Sequence, residues 1–495
     1  MIVAKIPVYQ TEQIREFERL AAERFSITGD VLMARAGKAA LDFMLRRFAN
    51  VKRIAVFCGN GNNGGDGYAL AELAFERGLS VTVYQVGGHT TLKGEAKVAF
   101  LRCQEANVPI EIFQDKMDMQ HPDLIVDAIC GIGLHDALRD EVVLVLENIR
   151  RSSVPVFALD VPTGIDADTC HVLGAALKAT ATMTFIGLKL GLLTGSGSSY
   201  TGELVVSDLQ LPTDLFAYIG SVGEKIQLSA FQHYLKPRLR DWHKGLSGHV
   251  LVIGGAQGFS GAARLAGMAA LRVGAGLVSI ATDKASAAVM NAESSELMCH
   301  GVALPEDLQP FLKKADVVIL GPGLSQSPWA QALWNEAIIQ DTWIVVDADG
   351  LNILADHPMM RDNWVLTPHP GEAARLLGQT SQEIQHDRLE AVRELARRYG
   401  GAAVLKGAGT LVVAPNMLPG VCDKGNPGMA SAGMGDILSG VIGGLLAQGI
   451  PLGEAARLGV ILHAMAGDMA AKDGERGMIA SDLLPYLRRL SNTTS

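Results

Sequence analysis

Residues 54–86 read IAVFCGNGNNGGDGYALAELAFERGLSVTVYQV. IAVFC is a short apolar run. A Gly/Asn stretch interrupts it, YALAELAFERG has helical spacing, and VTVYQV is a second apolar run. Strand, loop, helix and strand in that order form the βαβ unit of a parallel sheet. Downstream, apolar runs recur at LIVDAIC (124–130), VPVFALD (154–160), ATMTFIG (181–187) and ELVVSDL (203–209). Most are continuous rather than alternating, as expected of strands covered on both faces. Upstream, residues 11–49 carry helical patterning.

LPTDLFAYIGSVGEK (211–225) breaks the rhythm, and a second series follows: HVLVIGG (249–255), an Ala/Gly-rich helix, LVSIAT (277–282), ADVVILGPG (315–323), TWIVVDAD (342–349), WVLTPHPGE (364–372), AAVLKGAGTLVVAP (402–415) and a helical tail from about residue 436. The reading is α/β, with two three-layer αβα domains. A Rossmann-like domain spans residues 1–215, a linker 216–229, and a second domain 230–495. There is no short-period repeat.

Composition narrows the function. The 495 residues are 48% hydrophobic and 19% charged, a globular balance, and the 55 glycines follow no collagen period. A net charge of −9 without a basic tract argues against general nucleic-acid binding. It leaves open phosphate binding through backbone amides. Six cysteines without CxxC spacing argue against structural zinc or a disulfide scaffold and fit a reducing compartment. The first twenty residues show no signal-peptide pattern, and DILSGVIGGLLAQGI (436–450) is too short for a membrane span. A cytoplasmic location and no membrane partner are expected.

The run GNGNNGGDG (59–67) contains G-x-G-x-x-G at Gly59, Gly61 and Gly64. A dinucleotide dehydrogenase should carry Asp or Glu at the end of the next strand. Here that strand ends in Gln85, Val86 and Gly87, which weakens the dehydrogenase reading. An amide-rich loop before a helix remains, with Asn62, Asn63 and Asp66 as oxygen donors. VDAICGIGL places Asp127, Gly131 and Gly133 after a strand, and ALDVPTGIDAD does the same for Asp160, Thr163 and Asp166. Ligands of open α/β sheets sit outside the C-terminal strand ends, so these loops should converge. Their hard oxygen donors suit a group I or II cation.

GNGNNGGDG, VDAICGIG and DVPTGIDAD, in this order, resemble the NAD(P)H-hydrate epimerase family over residues 1–215. The resemblance implies substrate binding by Asn62, Asn63, Gly64, Gly65 and Asp66, by Gly131, Ile132, Gly133, Leu134, His135, Asp136 and Ala137, and by Asp160. It implies K+ near Asn63, Asp127 and Thr163. The family usually has Ser at the last position, and the hydroxyl is retained. Asp160 is the candidate acid/base, because epimerising the hydrated carbon requires moving a proton or opening the ring. Lys189, in GLKLGLL, reads as a solvated lysine, with a phosphate contact as the alternative.

In the second half, NPGMASAGMGDILSGVIGGLLAQG (426–449) leads small residues into an apolar helix. Amides at that helix start would form an anion hole, and Asp436 is placed to take a proton from an attacking hydroxyl. There is no G-x-x-x-x-G-K-[ST], so this is not a P-loop. KGAGT (406–410) offers a cation, flexible backbone and a hydroxyl, although on its own it reads equally as a hairpin turn. GPGL (321–324) and TPHPGE (367–372) follow strands, and His369 sits between two prolines. Ser260, Gly261 and Ala262 open a helix where a ligand can approach the backbone.

GGAQGFSGAARLAG, GPGL, DADGLN, TPHPGE, KGAGT and NPGMASAGMGD, in order, resemble the ADP-dependent NAD(P)H-hydrate dehydratases. This implies a ribokinase-like fold for residues 230–495. It also implies hydrate binding by Ala262, Gly323, His369 and Asp436, adenine nucleotide binding by Lys406, Gly407, Ala408, Gly409, Thr410 and Gly435, and Mg2+ with ADP. The expected protein is a homo-oligomeric, bifunctional metabolite-repair enzyme acting on NAD(P)H hydrates. The rival is a ribokinase-like small-molecule kinase, with the first domain a non-catalytic ligand- or protein-binding module.

Overall fold

The computed structural model describes residues 6–87, 92–117, 119, 121–290 and 294–492. Residues 1–5, part of the stretch read above for a leader, lie outside them. The chain forms two compact units, Ile6–Gly223 and Glu224–Ser495. The segment expected as a linker is structured in part. Glu224 and Lys225 run parallel to Gly420 and Val421 in the second unit's sheet, and Leu228–Phe231 is a 3-10 turn.

The first unit holds a parallel sheet of β1 (Arg53–Cys58), β2 (Ser80–Gln85), β3 (Ile110–Ile112), β4 (Leu124–Ala128), β5 (Val156–Leu159), β6 (Ala181–Phe185) and β7 (Glu203–Ser207), in the order β3-β2-β1-β4-β5-β6-β7. The central strands are buried throughout, which explains their unbroken apolar runs. Helix α1 (Thr11–Phe25) buries Ile14, Phe17, Leu20 and Ala21 at helical spacing, and α2 (Gly29–Arg47) follows it. A short pair beside them sets Val8 against Leu188 and Tyr9 against Lys189.

Helix α3 spans Asn62–Glu76, so it begins earlier than the sequence reading placed it. Asn62, Asn63, Gly64, Gly65 and Asp66 are its first turn, not a loop ahead of it. Close packing is what requires these glycines. A Cβ on Gly64 would lie 1.9 Å from the Gly59 carbonyl oxygen, and one on Gly67 would lie 2.5 Å from the Ala128 side chain.

In the second unit, β8 (His249–Ile253), β9 (Leu277–Thr282), β10 (Met298–Gly301), β11 (Val317–Leu320), β12 (Trp343–Val346), β13 (Trp364–Leu366) and β14 (Ala402–Leu405) run parallel, in the order β10-β9-β8-β11-β12-β13-β14. β15 (Thr410–Val413) and β16 (Gly420–Cys422) extend the sheet antiparallel. Helix α4 (Ser260–Arg272) lies close to α6 (Met434–Ala447), with α5 (Pro370–Leu377) between them in sequence and α7 (Leu452–Ala470) after them. A Cβ on Gly440 would come 2.1 Å from the Ala266 carbonyl oxygen, so glycine sets the α4–α6 approach. Among the described residues no helix is long and apolar enough to cross a membrane.

Candidate active sites

In the first unit, register places Cys58 beside Ala128 and Asp127 beside Ala158, so the C-terminal ends of β1, β4 and β5 are neighbours. Their loops line one cavity of about 800 Å³. Asn62, Asn63, Asp66, residues 131–137, Asp160 and Lys189 all line it. Gly64 and Gly65 are buried in the α3 turn beneath.

Asp160 follows β5 with φ +61°, a left-handed conformation that few residues other than glycine adopt. Its Oδ1 accepts from Lys189 Nζ at 2.6 Å, Thr184 Oγ1 at 3.2 Å and the Phe185 amide at 3.3 Å. Its Oδ2 points the other way and lies 3.2 Å from where a Cβ on Gly131 would be. One oxygen is therefore anchored, and glycine keeps the space before the other clear. The solvated reading of Lys189 is overturned. The side chain is fully buried, and its ammonium also donates to Thr184 Oγ1 (2.8 Å) and the Phe185 carbonyl (2.7 Å). Its register with Tyr9 explains this, because a strand end carries it under the cavity floor.

Two further acids share that cation. Burial first, and then the negative charge of Asp160, push the carboxyls of Asp66 and Glu18 upward, Asp66 well above the usual range. Glu18 lies on α1, and no sequence motif marks it.

Asp127 is fully buried. Its Oδ1 accepts from Thr163 Oγ1 (2.7 Å) and the Ile129 amide (3.2 Å), and its Oδ2 from the Thr163 amide (2.8 Å). Burial still pushes it up to about 6. Nearby, both polar atoms of the buried Asn63 amide lack a hydrogen-bond partner. An unsatisfied amide oxygen and a desolvated carboxylate are the donors a monovalent cation takes, so the residues present fit K+. His135 lies 3.5 Å from Asp166 and 3.4 Å from the Arg15 guanidinium.

In the second unit, Gly433 caps α6 at φ +88°, and Asp436 lies in the first turn. Burial first, and then Asp347, push its carboxyl up to about 7, with Glu372 and Asp349 adding to the shift and Lys406 opposing it. Lys406 Nζ donates to Asp347 Oδ1 at 2.8 Å and lies 3.6 Å from Glu372. A Cβ on Gly435 would be 3.2 Å from that ammonium, so the helix start and the β14–β15 turn meet there. KGAGT is indeed a hairpin connection. Gly407 and Gly409 take φ of +131° and +62°, Thr410 Oγ1 donates to the Gly407 carbonyl, and buried Arg388 donates to the Leu405 and Lys406 carbonyls. Ala408 lies within the same turn.

Gly323 (φ +60°) adjoins Ala262, whose Cβ would be 3.2 Å from one added on the glycine. His369 caps α5, and its Nδ1 accepts from the Gly371 (2.9 Å) and Glu372 (3.3 Å) amides. Nε2, the remaining edge of a half-exposed ring, lies 3.6 Å from Glu372 Oε1. The sequence reading missed Asp347, Ser439 and His463. Asp347 is the acid that ends TWIVVD, a strand-end signal that was available. His463, on α7, bonds the Met434 backbone, its Nε2 has no partner, and burial pulls the ring down to about 4.

Residues 250–489 match the NAD(P)H-hydrate dehydratase family, and residues 29–191 match the family described as YjeF-related protein N-terminus. The bifunctional NAD(P)H-hydrate repair enzyme Nnr of Coxiella burnetii is 47% identical, over 98% of this chain and 99% of its own. The chain belongs to the bifunctional NAD(P)H-hydrate repair enzyme family. The Escherichia coli member is 42% identical over 98% of this chain and 94% of its own. Among solved structures, a hypothetical protein (SMU.573) of Streptococcus mutans superposes with a TM-score of 0.51 at 28% identity, covering 54% of this chain and all of that one. Family membership accounts for both sites in one chain, each built at the C-terminal ends of a parallel sheet.

Proposed function

We propose that this chain repairs hydrated nicotinamide cofactors in two steps. The first unit interconverts the R and S hydrates of NAD(P)H. The second dehydrates the S form with ADP, giving NAD(P)H, AMP and phosphate. The observation that carries the reading is Asp436. It is a carboxyl pushed up to about 7 by burial at the amide-rich start of a helix, with the Lys406 ammonium of the 406–410 turn opposing that shift.

In the dehydration, hydroxide is a poor leaving group and phosphate a good one. Asp436 takes the hydroxyl proton as the oxygen attacks the terminal phosphorus of ADP. The amides at the α6 start and Lys406 stabilise the charge on the transferring group. Elimination of phosphate with loss of a ring proton then restores the double bond. Ala262, Gly323 and the Nε2 edge of His369 form the hydrate side of this site, and the 406–410 turn with Gly435 forms the nucleotide side. Among the described residues, no three His, Cys, Asp or Glu side chains converge as a metal site. Mg2+ would arrive on the nucleotide phosphates, as Mg2+ commonly does.

In the first unit, Asp160 Oδ2 is the base that faces substrate, and Lys189 orients that carboxylate by donating to Oδ1. Asn63, Asp127 and Thr163 would hold K+, which supplies positive charge at the cavity floor. The proposed setting is the cytoplasm.

The test uses purified full-length protein and a mixture of both NADH hydrates, following recovery of dihydronicotinamide absorbance with ADP, with ATP and with neither. Complete, ADP-dependent recovery is expected. Recovery that stalls at the S fraction would make the first unit a binding module. Absence of recovery with any nucleotide, together with a stable phosphorylated alcohol as product from other substrates, would favour the kinase.

A further inference from the structure

Asp347 has no role in the chemistry above, yet both of its carboxylate oxygens are engaged in the second site. It follows β12 and is 1% exposed. Each carboxylate oxygen holds a different element. Oδ1 accepts from Lys406 Nζ (2.8 Å) on the β14–β15 turn, and Oδ2 accepts from Ser439 Oγ (2.6 Å) on α6. Ser439 is three residues beyond Asp436, so both lie on one face of that helix. Gly435 closes the triangle. A Cβ there would be 3.2 Å from Lys406 Nζ and 3.6 Å from Asp347 Oδ2, so the helix start packs directly against the ion pair. The backbone beneath is far tighter, because a Cβ on Gly321 would lie 1.8 Å from the Asp347 carbonyl oxygen.

We infer that Asp347 is a positioning residue that locks the nucleotide-binding turn to the catalytic helix. The inference rests on the dehydratase reading. A buried carboxylate with a lysine on one oxygen and a hydroxyl on the other stays ionised, and its Lys406 partner is kept charged by Asp347 and Glu372 against the pull of burial. Asp436 faces Asp347, Lys406, Glu372 and Asp349, with the neutral ring of His463 on α7 close by. Removing the Asp347 charge deletes a like charge and releases a cation toward Asp436, and both changes make the catalytic carboxyl more acidic.

The experiment measures ADP-dependent dehydration by the full-length wild type, Asp347→Asn and Ser439→Ala, as kcat and KM for ADP from about pH 5.5 to about 9. In Asp347→Asn the ascending limb of kcat moves down by about one unit and KM for ADP rises about tenfold. In Ser439→Ala, which keeps both charges, the limb stays in place and KM for ADP rises roughly two- to threefold. A purely structural role would lower activity at every pH and leave the limb unmoved. An unmoved limb or an unchanged KM in Asp347→Asn overturns the inference. If that variant does not fold, ADP titrated calorimetrically into Ser439→Ala decides, and wild-type affinity overturns it. Failure of the wild type itself to dehydrate the hydrate would count against the dehydratase reading instead.

Discussion

Replacing Lys189 with methionine tests whether the buried pair under the first cavity works as a unit. The change leaves the Asp160 carboxylate, 8% exposed, without its cation. Breaking a buried pair from one side costs about 3–5 kcal/mol. The Thr184 hydroxyl and the Phe185 amide remain as donors to Oδ1, which favours the low end. In a unit of this size each kcal/mol lowers Tm by roughly 2–4 °C, so a loss of roughly 6–12 °C is expected. Asp160→Asn should cost less, about 2 kcal/mol, because Lys189 keeps two oxygen acceptors, Thr184 Oγ1 and the Phe185 carbonyl. The double variant leaves no buried charge and should cost only about 1 kcal/mol, well below the sum of the singles. Scanning calorimetry on full-length protein reads this out, with the melting of the second unit as an internal reference. Epimerisation should be lost in all three variants. A double-variant cost equal to the sum of the two singles, within about 0.5 kcal/mol, would refute the coupling.

Asp127 links stability to potassium and pH. Its folded value, raised by burial from the usual 3.8 to about 6, means that ionising it in the folded state costs about 3 kcal/mol. That stabilising difference is present at low pH and is lost as pH rises toward 6, unless a cation pairs with the carboxylate. Exchanging K+ for choline should therefore lower the Tm of the first unit at about pH 7.5 and change little at about pH 5. The dehydration rate should climb through about pH 7 as Asp436 ionises, and Asp436→Asn should remove the limb together with the activity. Gly321→Ala, at φ +130° and against the Asp347 carbonyl, should cost at least about 1–3 kcal/mol in the second unit and weaken ADP binding, measured by calorimetry. His369→Ala should remove a helix cap worth about 1 kcal/mol, visible as a small Tm loss besides any rise in KM for the hydrate.

Much of this architecture can be read along the chain. Continuous apolar runs, each ending in glycine or an acid, specify parallel strands with loops at one edge. The motifs on those edges put Asp127, Asp160, Thr163 and Lys406 at strand ends and Asp436 at a helix start, because strand ends and helix starts are local features. The residues that were misjudged or missed share a different property. Lys189 looks like any lysine flanked by leucine and glycine, and only its pairing opposite Tyr9 buries it against Asp160. Glu18 comes from a helix far away in sequence. Asp347 and Ser439 are 92 residues apart and meet only when the strand end and the helix start share one corner of the sheet. Sequence determined which groups could do chemistry, since residue type and local backbone carry that information. Which of them are desolvated, paired and shifted toward neutrality depends on neighbours brought in by the fold, and that was decided by tertiary structure alone.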